Sequence, residues 1–431
     1  MAAEQQHTEP SRISRLIAQY LPDLGPYQHL YRTLHANPEL SLQEERTAEV
    51  VAAHLRKLDG FDVRTHIGGH GVVGVLENGP GKTVLLRAEL DALPVLERTG
   101  LEFASSKTVL DLSDNVVKPV MHACGHDLHM AALLAASELL HKGRHAWGGT
   151  VIALFQPNEE RGAGAQAMVD DGLFDVNRHH IPIPHVALGG HVMPMRTGMI
   201  KTRSGVMGSA ADSFLVTLYG RGGHGSRPHH AVDPVVLASS AVMKLQTIVS
   251  RETDPRETVV VTVGSLHAGS AANIISDEAE LQINIRTFSS QTRHKVIEAV
   301  RRIVDAECRA FGSPKPPRIE HIGSFPLLYN NEAATDIVSE AMKNHFRGEF
   351  GTDATISTGS EDFANLTSPL SIPSVFWNYG GIDAQQWDDA VHNGKLEDIP
   401  GNHSSYFAPV IQPTLSVGTE AYATAALAFL L

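Results

Sequence analysis

The sequence predicts an α/β protein built on a mixed, largely parallel sheet and carrying an inserted α+β domain, and three observations point there. Thr83 to Leu86 and Thr150 to Phe155 are short apolar runs rich in branched residues and followed by polar ones, as buried strands of a parallel sheet are. Between them Ala131 to Leu140 reads as a crossover helix, so strand and helix alternate through about residue 200. From about Ala210 the order changes: Ser213 to Tyr219 alternates, Asp233 to Ile248 is helical, Thr258 to Ser265 and Glu280 to Arg286 are strands, Thr292 to Ala310 is helical, and Pro317 to Ile322 is a last strand. That β-α-β-β-α-β order is the ferredoxin-like split unit. The expected division is residues 1–208 as the first part of one domain, 209–320 as the insertion, and 321–431 as the return, which ends in a helix near Ser416 to Leu430. Earlier, Ala48, Val51, Ala52, Leu55 and Leu58 recur at helical spacing between Glu45 and Gly60, the glycine serving as the stop.

Composition narrows the function. A chain of 431 residues with 42% hydrophobic content buries a full core, which excludes a disordered reading. The formal charge of -13 argues against nucleic acid or an anionic membrane as the main partner, since either needs a basic face. Two cysteines, Cys124 and Cys308, are too few for a disulfide framework and fit a reducing compartment. The opening MAAEQQHTEPSRISR is polar and lacks the apolar region of a leader, and no run approaches the roughly 18 apolar residues of a membrane span, so a soluble cytoplasmic protein is expected.

In open α/β sheets ligands gather beyond the carboxyl ends of the strands, and here those segments are acidic and histidine-rich. Met121 to His129, MHACGHDLH, places a thiol, three imidazoles and a carboxylate before the Ala-rich helix; Cys124 and His126 at that junction could face one metal. Taken alone, Cys124 reads equally well as a small buried apolar residue with the histidines as caps. FQPNEERGAG (Phe155 to Gly164) leaves a buried strand with adjacent carboxylates Glu159 and Glu160. In an extended segment they would point opposite ways, one to metal and one to substrate as a base, although an isolated pair reads more simply as a solvated turn paired with Arg161. His191 in GGHVMP and His403 in GNHSSYF complete a ligand set if the four segments converge.

These segments belong to a longer series. RTLHANPELSLQEERTA (Arg32 to Ala48), DALP (Asp91 to Pro94), HACGHD (His122 to Asp127), QPNEE (Gln156 to Glu160), GRGGHGSRPH (Gly220 to His229), IRTF (Ile285 to Phe288), GSEDF (Gly359 to Phe363) and NHSSYF (Asn402 to Phe407) follow one another along nearly the whole chain. Together they resemble the M20 metallopeptidase superfamily, and within it the aminoacylase-like branch of hippurate hydrolases and auxin-conjugate hydrolases. The resemblance implies a metallopeptidase-like catalytic domain with an inserted lid or dimerisation domain, a homodimer, and a binuclear centre of zinc or manganese, with cobalt admitted. Position by position it implies Cys124, His126, Glu160, His191 and His403 as metal ligands, Glu159 as general base and Asp91 as a carboxylate orienting a ligand. It implies further that His224 reaches the scissile carbonyl across a dimer interface, and that Asn273 and Arg286 hold substrate, Arg286 by capturing a carboxylate. Without the resemblance those three read as a loop residue, a turn cap and a strand-end ion pair.

The implied reaction is hydrolysis of an N-acyl amino acid or related small amide to a carboxylic acid and an amino acid. The alternatives are a dipeptidase or aminopeptidase of the same superfamily, a non-catalytic metal-dependent dimer that binds an acylated ligand, and a redox role for Cys124. Four positions depart from the usual pattern: Glu89 for Asp, Leu128 and Met130 for smaller or polar residues, and Asn158 for Ala. The two bulkier residues are expected to reshape the pocket.

Overall fold

The computed structural model describes residues 10–175 and 177–431. The polar opening segment, residues 1–9 of it, lies outside the described residues. No helix among them is long and apolar enough to cross a membrane. The chain divides into two compact units, one of residues 1–207, 329–355 and 362–431, the other of residues 208–328 and 356–361.

The larger unit is organised by an eight-stranded mixed sheet in the order Phe61–Ile67, Gly71–Asn78, Gly149–Gln156, Thr83–Glu89, Val186–Arg196, Ser374–Ile382, Ile200–Lys201 and Phe350–Gly351. Its middle is parallel: Gly149–Gln156, Thr83–Glu89, Val186–Arg196 and Ser374–Ile382 run the same way. Thr83–Glu89 is buried at every position, as a strand covered on both faces must be. The sequence marks the centre of that strand and of Gly149–Gln156 but not their last residues, because Arg87, Glu89 and Gln156 are polar side chains buried in the interior. The antiparallel hairpin of Phe61–Ile67 and Gly71–Asn78 makes the sheet mixed.

The crossover helix runs from His126 to Lys142 and not from Ala131. Its first turn is wholly buried and carries the polar residues His126, Asp127 and His129 beside Leu128, so hydrophobic periodicity fails to mark it. Gly125 at φ 81° starts it, and a Cβ there would lie 2.4 Å from Val192 Cγ1, so the junction demands glycine both for backbone and for space. This helix packs against Thr414–Leu430, which is buried along most of its length. Leu128 and Met130 are both fully buried in the hydrophobic core, so they face packed side chains and do not line a pocket.

The smaller unit follows the order strand Ala210–Tyr219, helix Pro234–Thr247, strands Val259–Ala268 and Glu278–Thr287, helix Ser290–Ala310 and strand Arg318–Phe325. The four long strands form an antiparallel sheet with Ala210–Tyr219 and Glu278–Thr287 at its centre. Residue 320 falls inside the last strand, and the unit continues to Leu328. Ile356–Glu361 also belongs to it, because Ser209 N donates to the carbonyls of Ser357 and Gly359, and Arg286 Nη1 donates to that of Thr358. Cys308 is part of this unit's core, its thiol pushed up to about 11 by burial.

The central strands leave no room for side chains at their glycines. A Cβ on Gly190 would lie 2.3 Å from Nε1 of Trp377, a side chain with no exposure. Gly190→Ala is expected to destabilise the protein by about 1–3 kcal/mol through overpacking. Chemical denaturation with an unchanged midpoint would show that the strand pair yields more easily than its packing indicates.

Candidate functional site

The donor residues meet where the parallel strands end and the crossover helix begins. Asp91 follows Thr83–Glu89, Glu159 and Glu160 follow Gly149–Gln156, and His191 lies within Val186–Arg196, two residues beyond Gly189, which pairs with Arg87. Leu93 and Met121 exchange backbone hydrogen bonds of 3.0 Å in both directions, which draws DALP against HACGHD. His403 takes φ 69° and donates its N–H to the carbonyl of Ala123 at 2.8 Å, so a residue near the C-terminus arrives beside Cys124.

Among the described residues five overlapping sets of side chains have their donor atoms within 4.8 Å of one another: Cys124, His126 and His191; Cys124, Glu160 and His403; His126, Glu159 and Glu160; Glu89, His126 and His129; and Glu159, Glu361 and Asp362. Cys124 Sγ lies 3.4 Å from His191 Nε2, and His403 Nε2 lies 3.4 Å from Glu160 Oε2. His126 Nε2 stands 3.8 Å from both Glu159 Oε2 and Glu160 Oε1. Donors held at roughly 2.0–2.3 Å around one tetrahedral cation are separated by roughly 3.3–3.8 Å, so these spacings fit a metal.

The histidine tautomers fit as well. His126 Nδ1 donates to the Asp91 carbonyl at 2.9 Å, and its Nε2, excluded from solvent, has no hydrogen-bond partner. His191 Nδ1 donates to the Val192 carbonyl at 2.8 Å. In each ring the proton is on Nδ1 and the lone pair on Nε2 faces the donor group, the state a metal requires. Burial pushes the His191 imidazole down to about 3, with repulsion from His126 adding to it, which keeps it neutral. Burial also acts to lower His126, but the hydrogen bond it donates to Asp91 and the charges of Glu160 and Asp91 outweigh it and raise its pKa above the ordinary value. Asp91 is held below the usual carboxylate range: burial opposes this, and hydrogen bonds from His126, Ser41 and the Glu160 N–H prevail.

Glu159 and Glu160 do not diverge as an extended segment would have them. They occupy a turn closed by Gly162 N donating to Glu159 O at 2.7 Å, and both carboxylates approach the same ring nitrogen of His126. Arg161 pairs with Asp111 at 2.9 Å and leaves the two glutamates to the cluster. Asn158 stands at φ 53°, a left-handed position that Asn tolerates better than Ala, which accounts for one departure in the sequence.

The departure at Glu89 has a different cause. Glu89 Oε2 accepts from His129 Nδ1 at 2.6 Å, and His129 Nε2 accepts from the Val192 N–H at 2.9 Å, next to His191. Its other oxygen meets Arg87, which is also bonded to Gln156 at 3.0 Å and Asp362 at 3.1 Å. Asn402 was not singled out in the sequence, yet its amide donates to the carbonyls of Val192 at 3.2 Å and Cys124 at 3.4 Å. Its place beside His403 was the available signal. His35 was missed also: its Nδ1 lies 2.7 Å from Asp127 and its Nε2 2.9 Å from Glu97, all three side chains having no exposure.

His224, Asn273 and Arg286 lie in the smaller unit. Gly223–His224 pairs with Ile274–Ile275, and Gly225 N donates to the Asn273 carbonyl at 2.8 Å, so His224 and Asn273 are neighbours. His224 Nδ1 accepts from the Ser226 N–H at 3.1 Å, with the Ser226 hydroxyl 2.8 Å away, which leaves the ring proton on the exposed Nε2. Arg286 is on the central strand Glu278–Thr287, its Nη1 bonded to Thr358 O and 3.3 Å from Ser360 Oγ.

A parallel-centred sheet with buried imidazoles, a thiol and carboxylates at its strand ends is the construction of a metal-dependent hydrolase. The chain belongs to Peptidase family M20/M25/M40, which matches residues 85–406. A thermostable carboxypeptidase 2 of Saccharolobus solfataricus is 34% identical over 404 residues, covering 92% of this chain and 94% of that protein. A hippurate hydrolase of Campylobacter jejuni subsp. jejuni is 37% identical over 335 residues, covering 77% and 82%. Among solved structures, the Bacillus subtilis YxeP protein, described as a dinuclear metal binding peptidase from the M20 family, aligns with a TM-score of 0.74 at 26% identity, covering 94% of this chain and 98% of that one.

His35 bonds carboxylates through both ring nitrogens, so both carry protons, and the ring is held as a cation with its pKa raised to about 10. Burial opposes that charge, and the Asp127 and Glu97 contacts overcome it. A folded value above the unfolded one of about 6.5 means that this contribution is complete below pH 6.5 and is lost as pH rises through 10. Unfolding free energy from urea titrations is expected to fall between those values by roughly 1 kcal/mol per pH unit more in the natural protein than in a His35→Gln variant. Parallel curves for the two proteins would show that His35 folds uncharged.

Proposed function

We propose that this protein hydrolyses the amide bond of an N-acyl amino acid or a related small amide, giving a carboxylic acid and an amino acid, at a centre of two divalent cations held by Cys124, His126, Glu160, His191 and His403. The observation that carries this reading is the convergence of those donors, with the Nε2 lone pair of His126 turned toward the Glu159 and Glu160 carboxylates and that of His191 toward the Cys124 thiol. Cys124 joins His126 and His191 in one donor set and Glu160 and His403 in another, so its thiolate would be among the groups holding the cations. Imidazole and thiolate favour zinc, the carboxylates admit manganese or cobalt. When bound, the cations polarise the amide carbonyl and bring a water toward ionisation near neutral pH.

The chain's own residues then have distinct tasks. Glu159 accepts the proton of the attacking water and passes it to the departing nitrogen, which must leave as an amine. Asp91 orients His126 and fixes the Glu160 backbone. His224 donates its Nε2 proton to the carbonyl oxygen as that oxygen becomes negative, a contribution of about 10²–10³ in rate for one well-placed donor. Arg286 grips the free carboxylate with the guanidinium edge not engaged by Thr358, and Asn273 contributes an amide beside His224. The smaller unit, with its ferredoxin-like order, serves as lid and dimerisation domain, and His224 acts across a homodimer interface.

A second reading, a carboxypeptidase acting on peptides, is favoured by the likeness to the thermostable carboxypeptidase over 92% of this chain. A C-terminal residue of a peptide and an N-acyl amino acid present the same group, an amide next to a free carboxylate. Benzoyl and acetyl amino acids compared with the corresponding dipeptides, with the released amine identified, separate the two; turnover of neither class by metal-reconstituted protein would end both.

Glu159→Ala is expected to retain metal content within about 20% and to lose about 10²–10⁴ in kcat, the range of a general base. Equal rates for variant and natural protein would remove Glu159 from the reaction.

A further inference from the structure

The turn that carries Glu159 is held at two points by carboxylates from separate segments. Asp91 Oδ2 accepts the Glu160 N–H at 3.0 Å and is itself held by the Ser41 hydroxyl at 2.7 Å. On the other side Glu44 Oε1 accepts the Asn158 N–H at 2.8 Å and the Leu42 N–H at 3.0 Å. Glu159 is the residue between the two anchored amides.

Glu44 is an expensive residue to place there. Its side chain is fully buried, and Oε2 has no hydrogen-bond partner and no access to water. Burial, with the charge of Asp91 adding to it, pushes its carboxyl up to about 7. An apolar side chain would avoid that cost but would leave the Asn158 N–H without an acceptor. That amide cannot easily turn elsewhere: Asn158 is at φ 53°, its carbonyl accepts from Gly164 N at 3.0 Å, and a Cβ on Gly164 would fall 1.6 Å from the Pro157 oxygen. The backbone is therefore committed, and Glu44, at the start of the helix Glu45–Leu55, supplies the acceptor for the Asn158 N–H.

We propose that Glu44 is a positioning residue which, together with Asp91, clamps the Asn158–Glu160 turn so that the Glu159 carboxylate is fixed for proton transfer. The proposal rests on the reading of Glu159 as the base, but the clamp itself can be measured without substrate. Asp91 lies at the cluster and serves two segments; Glu44 reaches the turn from outside it, through a contact that neither the metal donors nor the substrate residues share.

The test compares three variants of the metal-loaded protein. In Glu44→Leu the acceptor is gone, so amide hydrogen exchange across residues 158–162 should quicken at least tenfold and kcat should fall about 10- to 100-fold, the cost of displacing a reacting group by about an ångström. KM should stay within about threefold, and metal content should match that of the natural protein. Glu44→Gln keeps an oxygen acceptor on the same arm and should restore both exchange protection and kcat to within about fivefold. Glu44→Asp keeps the charge on an arm too short to reach and should behave as Glu44→Leu does, which preserves the test should the leucine variant not fold. Unchanged exchange and kcat in Glu44→Asp, or equal damage in Glu44→Gln and Glu44→Leu, would overturn the clamp. Quickened exchange with unchanged kcat would leave the clamp but separate it from catalysis, and so overturn the positioning role. Absence of any N-acyl amino acid turnover in the natural protein would instead strike the reading of the reaction, while the exchange comparison still decides the anchor.

Discussion

The arrangement of the donor group depends on a buried cation, the guanidinium of Arg87. Removing such a group from water costs several kcal/mol after relaxation unless its donors are matched, and Arg87 has no exposure. Its partners are Glu89 two residues on, Gln156 at the end of the adjacent strand, and Asp362. Asp362 in turn accepts from Gln156 at 2.7 Å and from the Ala165 N–H at 3.0 Å. Satisfying one fork-shaped cation thus aligns two strand ends with the loop that follows Glu160. A packed apolar cluster of equal volume would stabilise the fold as well or better. What it would lack is direction, because apolar contact tolerates rotation and sliding where a planar set of five donors does not.

From Glu89 the alignment passes to the imidazoles. His129 donates to Glu89 and accepts from Val192, which leaves it neutral, and burial with repulsion from His191 and His126 lowers its pKa well below the ordinary value. His191 is neutral for the same reasons. His126, facing two glutamates with its outer nitrogen, experiences the opposite field, and His35, between Asp127 and Glu97, carries a full proton. Four histidines close in sequence or space, three of them buried and His191 partly so, therefore take three electrostatic fates, each set by what the second nitrogen meets. The position that attracts positive charge without a hydrogen-bonding partner is His126 Nε2, and a divalent cation answers that field better than a proton does, since it serves several donors together.

How much of this the sequence discloses follows from the kind of signal each residue leaves. Cys124, His126, Glu160, His191 and His403 are legible as candidates from their residue types and as one ligand set only from the resemblance of the whole motif series, and the structure brings them together. Strand centres are legible from branched residues, whereas strand ends are not, since Arg87, Glu89 and Gln156 look like loop residues until their mutual bonds are seen. The start of the crossover helix is hidden for the same reason: His126, Asp127 and His129 are buried polar groups that interrupt the periodicity. The expected divergence of Glu159 and Glu160 failed because alternation belongs to extended backbone, and Asn158 at positive φ turns the chain before the pair is reached. Leu128 and Met130 were assigned to a pocket from their size, but on a helix buried on all sides size reports the core.

The division of labour between the two units bears on which amide is cleaved. In the proposed reading the larger unit supplies what every amide hydrolysis needs, a cation-holding cluster and a base, from strand ends and a helix start locked by Arg87. The residues assigned to substrate lie in the smaller unit and differ in how firmly they are held. Arg286 sits on a central strand and is braced by the Thr358 carbonyl, so a carboxylate next to the scissile bond would meet a fixed partner. His224 and Asn273 are on an exposed two-stranded turn, the imidazole oriented by Ser226 alone among its described hydrogen-bond partners. Under the proposed roles, a rigid grip on the amino-acid side combined with lightly held groups near the carbonyl would admit many acyl groups on one kind of amine, so that selectivity would rest with the amine rather than the acyl group.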